Sequence, residues 1–127
     1  MIPKVPTVLI VDDDEEIREI AAYLVEQLGY RAITVENAAT ALDAVENDRP
    51  AVVITDALMP RLDGRDLCRL IKGAFIGTKV VVMSGLYTAP HYKYEALRNF
   101  KADEYLPKPI DFERLREVLA RLAPIAA

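Results

Sequence analysis

The sequence predicts an α/β fold, a single doubly wound five-stranded parallel sheet with helices on both faces. Three observations predict it. Short apolar, β-branched runs recur at 7–11 (TVLIV), 51–55 (AVVIT) and 79–83 (KVVVM), and they do not alternate with polar residues, so they read as strands buried on both faces. Between the strands lie stretches with apolar residues at helical spacing, and that alternation requires right-handed crossovers and a parallel sheet. Each of these runs also stops at a polar residue, which collects polar groups at the strand ends where open α/β sheets hold ligands. A chain of 127 residues suits one domain, expected over 1–127.

Thr7 to Val11 ends in Asp12-Asp13-Asp14, giving a first strand with acids at its carboxyl end. From Asp14 to Leu28 the residues Ile17, Ile20, Ala21, Leu24 and Leu28 fall at helical spacing, acids fill the first turn and Gly29 stands at the C′ position. Asp14 reads as the cap of this helix. Arg31 to Val35 is a second strand, after which Asn37 can cap a helix turning Ala41, Leu42 and Val45 toward the sheet until residues 47–50 close it.

The third strand, Ala51 to Thr55, runs into Asp56. Met59-Pro60 and Asp63-Gly64 then bend the chain, with Gly64 free to take a positive φ. A third helix from about Arg65 to Ala74 places Leu67, Cys68 and Ile71 on one stripe, where Cys68 reads as a small buried hydrophobe. The fourth strand, Lys79 to Met83, stops at Ser84-Gly85. Residues 86–100 are the least regular; Pro90 can open a fourth helix, with Leu97 and Phe100 marking its apolar face. Asp103 to Leu106 forms the fifth strand and leads to Pro107-Lys108-Pro109, and Asp111 caps a final helix with Phe112, Leu115, Val118, Leu119 and Leu122 inward.

Composition removes several function classes. Sixteen Lys and Arg against 20 Asp and Glu leave no basic field for nucleic acid or an anionic membrane, so no direct nucleic-acid binding is expected. No apolar run is long enough to span a bilayer and MIPKVPT lacks a signal-peptide core, so a cytoplasmic protein without membrane insertion is expected. One cysteine, Cys68, and one histidine, His91, exclude an internal disulfide and make a Cys/His zinc site or a Ser-His-Asp triad very hard to assemble. Chemistry must rest on carboxylates, hydroxyls, lysine and a borrowed metal.

The strand tips carry Asp12 and Asp13, Asp56, Ser84 and Lys108, all toward one edge. Taken alone, Asp56 reads equally well as a cap for the helix that follows. Three carboxylates brought together repel, and a hard divalent cation relieves them; with water retained, Mg²⁺ suits such a site and Mn²⁺ is the alternative. A lysine and a hydroxyl facing that cation complement a phosphoryl group. Without a histidine base the plausible nucleophile is a carboxylate, which forms an acyl phosphate directly.

VDDD at 11–14, DALMPRLDG at 56–64, MSG at 83–85 and YLPKP at 105–109 resemble, in order and spacing, the receiver domains of two-component response regulators. The resemblance covers nearly the whole chain and implies a flavodoxin-like strand order, 2-1-3-4-5. It implies that Asp56 accepts a phosphoryl group from a sensor histidine kinase or a histidine phosphotransfer protein, in a transfer the domain catalyses on itself without being an enzyme toward other substrates. It further implies that Asp13 and Asp56 supply carboxylates to the metal, Asp12 acts through water, and the Leu58 backbone carbonyl is a neutral ligand. Lys108 would pair with Asp56 at rest and with a phosphoryl oxygen afterwards. Ser84 would then move to that group and Tyr105 would swing inward, altering the face of the fourth helix, fifth strand and fifth helix that a downstream protein target reads. The family commonly has a cis bond at the position of Lys108-Pro109.

The chain departs from the family in two places. A glycine usually stands where this sequence has Lys101, and lysine takes a positive φ only at some cost. The stretch from Ser84 to Lys108 is also slightly long and holds Tyr87, Tyr92, Tyr94 and Tyr105. Tyr92 or Tyr94 can anchor a partner there, or the four can be scattered aromatics of a loop. Leu58 and Leu86, two positions beyond Asp56 and Ser84, are apolar and should slow hydrolysis of the phosphoryl group. The competing function is a receiver-like interaction module that works without phosphorylation, against which the full set of acids, serine and lysine argues. An aspartate-based phosphohydrolase would carry a second aspartate where Leu58 stands.

Overall fold

Val8 to Val11, Val52 to Thr55 and Val80 to Ser84 have no polar face to offer water, so the strands they form must be covered on both sides, and they are buried throughout. In the computed structural model, which describes residues 5–57, 64–85, 97–98 and 100–125, the chain runs β1 (Thr7–Val11), α1 (Glu15–Gln27), β2 (Arg31–Val35), α2 (Ala38–Asp48), β3 (Val52–Asp56), α3 (Gly64–Ala74), β4 (Lys79–Ser84), β5 (Glu104–Pro107) and α4 (Phe112–Leu122). The five strands are parallel in the order β2-β1-β3-β4-β5, as expected. The helix here numbered α4 is the one expected last. The helix expected across 86–100 lies largely outside the described residues, which include helical Leu97 and Arg98.

Alternate strand residues feed two cores. Leu9, Val11, Val53, Val80 and Val82 pack with Ala41 and Val45 of α2 and Leu67, Cys68 and Ile71 of α3. Val8, Ile10, Val52, Ile54, Val81 and Met83 pack with Ala21 and Val25 of α1 and Leu115, Val118 and Leu119 of α4. The result is three layers with the sheet in the middle and two helices described on each face.

The caps follow the sequence. Asp14, Asn37 and Asp111 each accept from backbone N–H groups of the helix they open, and Gly29 ends α1 at φ 95°. The ladder runs one residue beyond two of the apolar runs: Asp56 pairs with Met83 and Ser84 with Pro107, so both polar groups end their strands rather than open loops. Two expected core positions face water. Ile20 is 49% exposed because it lies a third of a turn off the Ala21–Val25 stripe, and Phe112 is 37% exposed as the first residue of α4. Lys101 does adopt φ 64°, the conformation for which glycine is suited, and Lys108-Pro109 is cis. Tyr30 ties the two ends of one layer together, its hydroxyl donating to the carbonyls of Leu119 (3.1 Å) and Ala123 (2.8 Å). No helix among the described residues is long and apolar enough to cross a membrane.

Candidate functional site

Strands β1, β3, β4 and β5 are consecutive in the sheet, so their carboxyl ends form one continuous edge. That edge brings together Asp12 and Asp13 after β1, Asp56 at the end of β3, Ser84 at the end of β4 and Lys108 after β5. Asp12 is fully buried, Asp56 and Ser84 are buried at 9% and 2% exposed, and Asp13 faces solvent. Hydrogen bonds between neighbouring tips fix their spacing. Ala57 N–H donates to the Met83 carbonyl at 2.8 Å, and Lys108 N–H to the Ser84 carbonyl at 3.0 Å.

Lys108 closes the edge electrostatically. Its ammonium lies 3.0 Å from Asp12 Oδ2 and 3.3 Å from Asp56 Oδ1. Burial disfavours its charge, but the Asp12 hydrogen bond and the Asp56 and Asp12 carboxylates outweigh that and hold the ammonium above the usual lysine range. The expectation of a resting Lys108–Asp56 pair is therefore met only in part, because Lys108 is shared and sits nearer to Asp12. A fully buried carboxylate needs a counter-charge, and Asp12, between β2 and β3 in the sheet, has its own in Lys108.

Asp12, Asp13 and Asp56 each offer a carboxylate oxygen, and the three lie within 4.8 Å of one another. One small cation can be shared at that spacing, and an all-oxygen donor set suits Mg²⁺ or Mn²⁺ over zinc. The residues thus fit the metal expected from the sequence. The Leu58 carbonyl, expected as a further ligand, lies outside the described residues, as do Leu86, Tyr87, Tyr92 and Tyr94. Tyr105 is described: it is 5% exposed and packs in the α3-side core, so its ring already occupies an inward position.

Sequence reasoning misses two groups at this edge. At Gly64 the requirement is the absence of a side chain, because a Cβ there would overlap the carbonyl oxygen of Asp56. Its N–H donates to the Ala57 carbonyl at 2.9 Å, so α3 starts in direct contact with the tip of β3. The Asp63-Gly64 pair signals a turn in the sequence, and a close approach of two backbones leaves the same signal. Arg18 is the other, its Nη1 donating to the Asp12 carbonyl at 2.8 Å. An arginine in the first turns of an amphipathic helix carries no pattern that distinguishes it from a solvated one.

A family model described as the response regulator receiver domain matches residues 8–120. Response regulator MprA of Mycobacterium sp. strain KMS is 34% identical over 123 residues, covering 92% of this chain and 52% of the relative, so the chain spans about half the length of the curated relatives it matches. The receiver domain of Francisella response regulator 1452 superimposes with a TM-score of 0.83 at 29% identity, over 92% of this chain and 95% of that one. Chemotaxis response regulator CheY4 of Vibrio cholerae does so at 0.83 and 26%, over 94% and 99%. With four motifs on four adjacent strand tips and a family match spanning nearly all of it, the chain belongs to the response regulator receiver domains.

Proposed function

We propose that this chain, as one receiver domain over 1–127, is a phosphorylation-controlled switch in a two-component system. Asp56 is the acceptor of a phosphoryl group from a histidine kinase or histidine phosphotransfer protein, and the altered surface is read by a protein target. The observation that carries this reading is the shared position of Lys108, 3.0 Å from Asp12 and 3.3 Å from Asp56, beside three carboxylates that can hold a cation.

The chemistry asked of the chain is modest. An Asp56 carboxylate oxygen attacks phosphorus in line, the bond from phosphorus to the donor's imidazole nitrogen breaks, and the imidazole keeps that electron pair. Phosphoryl transfer of this kind depends on positioning and on neutralising charge. Asp56, buried at the end of β3, presents its carboxylate at the carboxyl edge of the sheet beside Asp12, Asp13 and Lys108. Lys108 moves from a carboxylate oxygen of Asp56 to an oxygen of the new phosphoryl group, while its Asp12 hydrogen bond keeps it in place. Ser84 donates its hydroxyl to another phosphoryl oxygen, and Tyr105 on β5 registers the accompanying shift of the loop. Asp13 and Asp56 would hold Mg²⁺, with Asp12 acting through water; the bound ion would supply further neutralisation of the phosphoryl oxygens. Hydrolysis returns the carboxylate when water attacks phosphorus.

Incubation of the protein with acetyl phosphate and Mg²⁺, read by intact mass, tests the reading. One added phosphoryl group on the wild type and none on Asp56→Asn are expected. An unmodified wild type would sink it in favour of a module that works without phosphorylation, and release of phosphate from many phosphoesters would favour a hydrolase.

A further inference from the structure

Asp12 is held from four sides. Its N–H donates to the Val35 carbonyl at 3.2 Å, Oδ1 accepts from the Asp14 N–H at 2.9 Å, Oδ2 accepts from Lys108 at 3.0 Å, and its carbonyl accepts from Arg18 Nη1 at 2.8 Å. Sheet pairing, the turn that leads into α1 and the site itself account for the first three. The fourth is different in kind. Arg18 stands in the first turns of α1 and its side chain is half-buried, reaching back to the β1 tip. A cation at that end runs against the helix dipole, whose positive pole lies there, and docking the side chain costs it rotamer freedom.

We propose that Arg18 is a positioning residue for the metal. By holding the Asp12 carbonyl it fixes the backbone of the β1 tip, so that Asp12 and Asp13 present carboxylates toward Asp56 before the cation arrives. The inference rests on the metal-binding part of the proposed function. Outer partners that orient ligands in this way strengthen metal binding without touching the metal. A simpler role for Arg18, as counter-charge to the acids around it, leads to the opposite result: its removal would take away a competing positive charge and tighten Mg²⁺ binding.

The test is calorimetric titration of Mg²⁺ into the unphosphorylated full chain, for wild type, Arg18→Met and Arg18→Lys, with metal-free melting curves recorded alongside. Arg18→Met should bind Mg²⁺ about tenfold more weakly, and Arg18→Lys, which keeps a donor on a long stem, should recover most of the loss. With acetyl phosphate, the half-saturating Mg²⁺ concentration of Arg18→Met should rise by the same factor while the rate at saturating Mg²⁺ stays unchanged, a split that a merely loosened fold would not produce. Equal or tighter Mg²⁺ binding by Arg18→Met overturns the proposal. Should Arg18→Met not fold, Arg18→Gln, too short to span the gap, takes its place with the same two outcomes. No adduct on the wild type would count against the acceptor reading and leave the Mg²⁺ comparison to decide Arg18, whereas no Mg²⁺ binding by the wild type would overturn both.

Discussion

Asp56 sits where three carboxylates crowd together and two of them share one lysine, and that arrangement sets a cost on the metal-free protein. Among the charges of the described residues at this edge, replacing Asp56 by Asn removes repulsions with Asp12 and Asp13 and an attraction to Lys108, which keeps its closer bond to Asp12. The Asp12 repulsion and the Lys108 attraction largely cancel, which leaves the repulsion from solvent-facing Asp13; Asp56→Asn should therefore be more stable than the wild type without metal, by about 1 kcal/mol, the water-like value for one such pair. Urea unfolding in EDTA measures this, and a less stable variant would mean that the Lys108–Asp56 pair outweighs the repulsion. Mg²⁺ should reverse the order, since a ligand at tenfold its Kd stabilises the form that binds it by about 1.4 kcal/mol. At Cys68, burial first and then the nearby Asp103 carboxylate push the thiol up to about 12. Its Sγ donates to the Phe100 carbonyl at 3.2 Å. Cys68 should be inert to a thiol reagent at pH 8 in the folded protein and reactive in denaturant; fast labelling of the native form would show that α3 opens readily.

At the scale of elements, α3 links Asp56 to the outer part of the sheet. Gly64 abuts the Asp56 carbonyl, and its neighbour Arg65 and, a turn later, Arg69 lie 5.2 and 5.1 Å from the Phe100 ring. Lys72 then pairs with Asp103 at 2.9 Å, just before β5. Gly64→Ala must displace either α3 or the tip of β3, and should cost about 3 kcal/mol and slow phosphorylation. The control is in the same helix: Gly73 has nothing within 4 Å of an added Cβ, so Gly73→Ala should gain about 0.5–1 kcal/mol. Equal effects of the two in thermal unfolding would refute the close-approach role of Gly64. The elements themselves were largely legible, because continuous apolar runs and capping residues are local signals. Their fine placement was not: ladder pairing extends β3 and β4 through Asp56 and Ser84, and it is a property of two strands at once. Ile20 and Phe112 failed for a related reason, since apolar spacing marks a helix face and not how far the sheet reaches beneath it.

For the molecule as a whole, the strand order turns four separate motifs into one site, and this was the most legible part of the chain. Acids, serine and lysine at successive strand ends can only meet at the edge that parallel crossovers create. What the sequence could not convey was the sharing of Lys108 between two aspartates, or the backbone roles of Gly64 and Arg18, because each depends on atoms brought together from distant elements. The shared lysine also fixes a pH response. Its folded pKa is raised, so its contribution to stability is complete below the unfolded lysine value, about 10.4, and is lost as pH rises through the folded value. The stability difference between wild type and Lys108→Met should be constant from pH 7 to about 10 and shrink above that; a difference that already shrinks near neutrality would mean that Lys108 is not held in its charged form.

The central claim is that Asp56, among the three clustered aspartates, carries the phosphoryl group. Borohydride reduces an aspartyl phosphate to homoserine, which peptide sequencing by mass spectrometry then locates. After acetyl phosphate and Mg²⁺ treatment, homoserine is predicted at position 56 and at neither 12 nor 13; homoserine at either of those positions, or a stable phosphate on Ser84 in its place, would contradict the assignment.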